Sequence, residues 1–194
     1  MRYVLCLLVV LGCGSKAHDG YSSSRIKEFR QTKDQSFIQE AWSPLTVEDR
    51  VGFKGLRYFP ASAAWLVKAQ FVPSEHIDTV LMSTSTDELR TATRPGKLVF
   101  TIQGKQYELW AFRFVEPGSA ADLFVPFRDE TNGLESYELG RYVEVQSSRT
   151  GDYAIDFNMA YNPFCAYNYE YSCPLVPYYN TLTIPITAGE KSWH

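Results

Sequence analysis

Lys97-Leu98-Val99-Phe100-Thr101-Ile102-Gln103-Gly104-Lys105-Gln106-Tyr107-Glu108-Leu109-Trp110-Ala111-Phe112-Arg113-Phe114 is the stretch that decides the fold class. Two runs rich in apolar, β-branched and aromatic residues flank Gly104-Lys105. Glycine suits the first central position of a type II′ turn, so the stretch predicts a hairpin of Lys97–Gln103 with Gln106–Phe114. Upstream, Trp65, Val67, Ala69 and Phe71 alternate with Leu66, Lys68 and Gln70, the two-residue repeat of a half-buried strand. Thr79–Thr84 is a second candidate strand and Arg90–Arg94 a weaker third. Downstream, Asp129–Gly133 predicts a turn joining Leu123–Phe127 to Ser136–Tyr137, and Ser147–Asp152 a turn joining Tyr142–Gln146 to Tyr153–Phe157. Thr181–Thr187 supplies a last strand, with Pro185 pointing to an edge. Strands joined by short turns without intervening helices pair antiparallel. The expectation is a mainly β fold, an antiparallel sandwich or open barrel.

Before the strands, Ile26, Phe29, Phe37, Ile38, Ala41 and Trp42 fall on one helical face, with Ser24 placed to cap and Pro44 to stop the helix. An N-terminal helix over Arg25–Trp42 therefore lies on the β body. Thr46-Val47-Glu48-Asp49 reads as a capping box that opens one or two further turns, ended near Gly52 or Gly55.

The first residues carry an address. Met1-Arg2-Tyr3, an apolar run to Leu11, then Gly12-Cys13 is the pattern of a secretory signal. The run is far short of the ~20 residues a helix needs to cross a bilayer. Val10-Leu11-Gly12-Cys13 resembles the lipobox of bacterial lipoproteins, which implies that residues 1–12 are removed and that Cys13 carries the acyl chains. At ~0.8 kcal/mol per buried methylene, two or three long chains anchor stably. Residues 13–24 are small and polar and read as a flexible tether, and residues 25–194 as a single β-rich domain. The expected location is the bacterial cell envelope, lipid-anchored at a periplasmic or outer-membrane face, with the membrane as a partner through Cys13.

Removing the signal takes the formal charge from −3 to −4, because only Arg2 is lost. That mild acidity argues against nucleic acid, which needs a basic face. Export also sets the redox context. Cys165 and Cys173, close in sequence in an oxidising compartment, are expected to form a disulfide. Two thiolates lack the third and fourth ligands of a zinc site, so no metal is expected, nor any other cofactor. Nucleophile-elbow, phosphate-loop and paired-histidine patterns are all missing from the sequence.

Between Tyr153 and Tyr179 nine aromatic residues crowd together: Tyr153, Phe157, Tyr161, Phe164, Tyr167, Tyr169, Tyr171, Tyr178 and Tyr179. A long irregular segment with this load reads either as a cap over the open end of the β structure, rings buried and hydroxyls wet, or as the wall of a ligand pocket. Here the residues also resemble a family. Phe127-Arg128-Asp129, Gly140-Arg141-Tyr142, Asp156-Phe157-Asn158, Tyr161-Asn162-Pro163, Cys165-Ala166, Cys173-Pro174, Asn180 and Gly189-Glu190-Lys191 are similar, in order and spacing, to the bacterial family called domain of unknown function 1684. The pattern departs at Val176-Pro177, where the family tends to have consecutive prolines, and Arg25 to Val115 is similar more loosely. The resemblance implies kinship without an established reaction.

Carried onto this chain, the candidate cluster is Arg128, Asp129, Arg141, Asp156, Asn158, Tyr161 and Asn162, with Asn180 and Glu190 nearby. Carboxylates held by arginine and amides are either a buried support or, if they open into a cleft, a clamp for an anionic ligand. Three functional expectations follow. The first is an envelope module that binds a small polar ligand or an envelope protein through the 156–180 segment. The second is a hydrolase-type enzyme using Asp129 and Asp156 as acid and base, and the third a structural accessory lipoprotein without a pocket.

Overall fold

The structure is a computed structural model that describes residues 20–115, 122–146 and 151–193. The expected signal segment and residues 13–19 of the expected tether, Cys13 included, lie outside the described residues. Helix α1 spans Ser23–Gln39, two residues earlier at its start than its apolar face suggested, because Ser22 rather than Ser24 is the cap: its hydroxyl accepts the Arg25 amide. Ile26 and Phe37 are the buried residues of α1. Helix α2, Val47–Gly52, opens as expected on Thr46, which accepts the Asp49 amide while its hydroxyl donates to the Asp49 carboxylate. Among the described residues no helix is long and apolar enough to cross a membrane.

The fold is mainly β. Among the described residues six strands form one antiparallel sheet: β1 (Leu66–Ser83), β2 (Leu89–Ile102), β3 (Lys105–Phe114), β4 (Leu123–Phe127), β5 (Arg141–Val145) and β6 (Asp152–Asp156), in the order β5-β4-β3-β2-β1-β6. The sheet curls into a half-barrel, so that its two edges, β5 and β6, come back within contact of each other.

Several boundaries differ from the sequence reading, each for a physical reason. The β2–β3 hairpin forms, but its two turn residues are Gln103 and Gly104, both at positive φ (51° and 79°). The turn is therefore of the I′ kind rather than II′, and its twist matches the strands it joins. The first two candidate strands are one continuous β1, and Arg90–Arg94 continues into the hairpin as β2. Register shifts at Pro73/Asp78 and Thr93/Gly96 absorb the irregularity, which is how Pro95 sits inside a strand. Strand β4 pairs with β5 rather than with Ser136–Tyr137, leaving 128–140 as a folded loop of turns. Strand β6 pairs with β1 on the far edge, not with β5. Thr181–Thr187 is not a ladder strand: its amides go to the 128–130 loop, Leu182 N to Arg128 O (2.8 Å) and Ile186 N to the Asp129 carboxylate (3.1 Å). Its buried residues, Leu182, Ile184 and Ile186, join the core inside the curl.

That core fills the concave face with Leu98, Phe100, Leu109, Val125, Val143 and Ile155. A second cluster, Met82, Ala92, Phe112, Phe124, Tyr142 and Val176, lies against the other parity of the same strands. Strand β4 is accordingly buried at all of its positions, having apolar neighbours on both faces.

Candidate functional site

The sequence-derived cluster divides into three places. The first is a sealed ion pair. Arg141, at the start of β5, is fully buried and donates to Asp129 at 2.7 Å, the two side chains having no exposed surface. Its Nη1 and Nη2 groups also reach the carbonyls of Ile186 (2.9 Å), Ala188 and Glu190 (3.1 Å), and Thr131 Oγ1 (3.4 Å), while Nε has no partner. The second Asp129 oxygen accepts the amides of Thr131 and Ile186. Burial pulls the Arg141 guanidinium below its ordinary pKa, and Asp129 opposes that. With every carboxylate and nearly every guanidinium site occupied, this pair ties the loop after β4 and the C-terminal segment to β5. Arg128 lies beside it, its backbone amide and carbonyl bonded to Asn180 and Leu182.

The second place holds α1 onto the body. Glu190 is fully buried and takes Lys33 of α1 at 2.5 Å, the Asn162 amide at 2.8 Å and the Tyr167 hydroxyl at 2.5 Å. Burial and the Glu190 charge push the Tyr167 hydroxyl well above its usual pKa, so it stays a proton donor to that carboxylate. Gly189 sits at φ 75°, and a Cβ there would fall 2.6 Å from the Ala160 carbonyl, which accounts for glycine before this glutamate. Asp156, with its side chain 13% exposed, is turned to Asn158 (2.8 Å) and to Arg25 (3.6 Å). Asn158 in turn bonds both the amide and the carbonyl of Ser62.

Asp129 and Asp156 therefore belong to separate networks. The acid–base pairing expected of them has no cleft to work in, because Asp129 is closed off from solvent.

Third is an open cleft. Strand alternation sends Phe114, Phe124, Tyr142 and Glu144 to one face of β3–β4–β5, opposite in parity to Val125, Val143 and Val145 in the core. The segment 161–174 lies over that face, held by reciprocal backbone bonds between Tyr142 and Tyr161 (2.9 Å each), by Tyr142 Oη donating to the Pro174 carbonyl, and by Leu175 N to Ser83 O (2.8 Å). Between them is a cavity of about 340 Å³ lined by Phe114, Phe124, Tyr161, Phe164 and Tyr171, with Arg90, Arg113, Asp122 and Glu144 among its polar groups. A neighbouring cavity of about 410 Å³ shares Asp122, Glu144 and Tyr161, so the two adjoin with these residues as the waist between them. At the waist Tyr161 donates to Glu144 at 2.7 Å. Desolvation raises the Glu144 pKa, the Tyr161 hydrogen bond opposes this, and Asp122 adds to the rise. Tyr161 itself is pushed well above the usual phenol range by burial and by Glu144. The Arg90 guanidinium stacks on Phe114, 4.0 Å from the ring centre.

The aromatic segment is thus both cap and wall. Phe157 enters the core, Phe164 and Tyr167 pack edge-on against Phe37 of α1, and Tyr161 and Tyr171 face the cleft. Of the polar cluster drawn from the sequence Tyr161 alone lines the first cavity, and Asp156 joins it in lining the second. Arg90, Arg113, Asp122 and Glu144 escaped the reading because they come from three different strands and, for Asp122, the residue before a fourth. The available signal was Glu144, an acid on the same strand parity as Tyr142.

Cys165 and Cys173 are free thiols, so the expected disulfide is not formed in this structure. The Cys173 sulfur instead accepts the Cys165 amide at 3.1 Å. Among the described residues no group of three or more His, Cys, Asp or Glu side chains is arranged to hold a metal ion.

Residues 51–191 match the family described as protein of unknown function (DUF1684). The chain belongs to the DUF1684 family. No curated protein matches it significantly. Among solved structures, this DUF1684 chain is similar to the solution NMR structure of an uncharacterized protein from Haloarcula marismortui, at 37% identity and a TM-score of 0.69 over 87% of this chain and 92% of that one. That relative comes from an archaeon.

Proposed function

We propose that this DUF1684 protein is a binding module that holds a small polar ligand with an apolar body in the cleft between β3–β4–β5 and the segment 161–174. One observation carries the reading: an aromatic-walled cavity of about 340 Å³ with the hydrogen-bonded Glu144–Tyr161 pair among its few polar groups. Ligand pockets combine that size, about 300–1,000 Å³, with apolar lining and a small number of placed polar groups. Glu144 accepts hydrogen bonds, so the preferred ligand pairs an aromatic or aliphatic body with an amine or hydroxyl donor.

Thermal-shift and calorimetric titration with aromatic amines, phenols and aromatic carboxylates tests this. At least one donor-bearing compound is expected to bind the wild type. Glu144→Ala should weaken that binding by roughly 10-fold or more, since a hydrogen bond to a charged acceptor contributes about 1.5–3 kcal/mol. Equal affinity in Glu144→Ala and wild type would remove the cleft from consideration.

The anchoring reading is proposed alongside it. Cys13 is acylated after removal of residues 1–12, and residues 13–22 tether the body, whose α1 starts at Ser23, to an envelope membrane. Cys13→Ser should shift the protein from the detergent phase to an uncleaved or soluble form. Unchanged partitioning of that variant would count against lipidation.

A further inference from the structure

We propose that Cys165 and Cys173 form an exchange-competent dithiol, with Cys165 the attacking sulfur and Cys173 the resolving one, rather than a static staple. The placement of the two thiols is unequal. Cys165 sits in the single-turn helix Phe164–Ala166 and is partly exposed, whereas Cys173 is buried and lines the cleft. The Cys165 amide points at the Cys173 sulfur from 3.1 Å, which brings the second sulfur up to the backbone of the first. Tyr137, on the folded loop before β5, donates its hydroxyl toward the Cys165 sulfur at 3.9 Å. The segment between the cysteines is fastened at its far end, where Cys173 N donates to Ser85 Oγ (3.1 Å) and Ser85 N donates to Cys173 O (2.9 Å). Hydrogen bonds to Cys165, first from the Cys173 thiol and then from Tyr137 and Ser85, outweigh its burial and lower its pKa to about 6. The shared proton and burial push Cys173 the other way. Cys165 is thus the sulfur that solvent can reach and that the Tyr137 hydroxyl faces, and a partly exposed, lowered-pKa thiol is the arrangement reactive cysteines require.

The oxidant is an external disulfide, RSSR. The Cys165 thiolate attacks one of its sulfurs and expels RS⁻, forming a Cys165–SR mixed disulfide. The Cys173 thiol passes its proton to the expelled RS⁻, and its sulfur attacks Cys165, displacing the second RS⁻, which takes a proton from solvent. The pair loses two electrons and becomes a Cys165–Cys173 disulfide, and RSSR becomes two RSH. Reduction by an external dithiol runs the same steps backwards.

The test uses the full chain, reduced and non-lipidated, with peptide mapping by mass spectrometry so that each cysteine is read separately. With limiting iodoacetamide near neutral pH, Cys165 should be alkylated at least about 10-fold faster than Cys173, as partial exposure and thiolate character require. With glutathione disulfide, the wild type should lose two hydrogens and show a Cys165–Cys173 cross-link. Cys173→Ser should stop at a glutathione adduct on Cys165, while Cys165→Ser should acquire none on Cys173. Comparable alkylation rates in the folded wild type would overturn the proposal without recourse to any variant. So would a wild type that takes up glutathione at both cysteines without cross-linking them.

Discussion

Arg141→Ala is expected to destabilise the fold by about 3–5 kcal/mol, the range for removing one partner of a buried ion pair and leaving the other charge uncompensated. Asp129 would then face the cavity left by the guanidinium with only the Thr131 and Ile186 amides on it. The carbonyls of Ile186, Ala188 and Glu190 would also lose donors, and with them the C-terminal segment its tie to β5. Urea unfolding followed by tryptophan fluorescence measures this. The double variant Arg141→Met/Asp129→Asn should recover part of the loss, because the introduced carboxamide oxygen still accepts those amides and no lone charge remains. A single-variant loss below about 1 kcal/mol, ordinary for a surface site, would mean that the pair is not the support described here.

Asn180→Ala is the second large effect. The ladder between β3 and β4 consists of the single pair Phe112↔Phe124, and the fully buried Asn180 side chain takes over where it ends. Its amide donates to the carbonyls of Trp110 (2.9 Å) and Pro126 (2.7 Å), and its oxygen accepts the Trp110 amide (2.9 Å). One side chain thus bridges two strands whose own ladder is a single pair. Each orphaned buried group costs about 1–3 kcal/mol, so a loss of about 3 kcal/mol is expected, partly offset where water enters. Hydrogen exchange should show the Trp110 amide deprotected ahead of the β2–β3 hairpin. Unchanged protection of Trp110 in Asn180→Ala would contradict the bridge.

The fold was legible wherever pairing is local. The β2–β3 hairpin shows in its flanking residues and its glycine, and α2 in its capping box, because both are settled by neighbours in sequence. Reading β1 as two strands followed from Ser74-Glu75-His76, where alternation lapses at the register shift and most side chains meet solvent. The pairing of β6 with β1, across more than eighty residues, left no local mark, since an edge strand takes whichever partner the curl offers. The same distinction governs the site. Asp129, Arg141, Asn180 and Glu190 stand out as polar residues in apolar surroundings, yet that signal marks buried supports as readily as binding groups. The cleft was hidden because its walls come from five separate segments. Only the aromatic crowding around Tyr161–Tyr171 announced it.

Residue-resolved NMR of the isotopically labelled protein, titrated with the tightest donor-bearing aromatic compound from the thermal-shift series, tests the central claim most directly. Ligand binding in the cleft predicts shifts that concentrate on Arg90, Phe114, Glu144, Tyr161 and Tyr171, with the Arg141 and Asn180 resonances unmoved. Saturable binding whose shifts cluster elsewhere, or around Arg141, would contradict it.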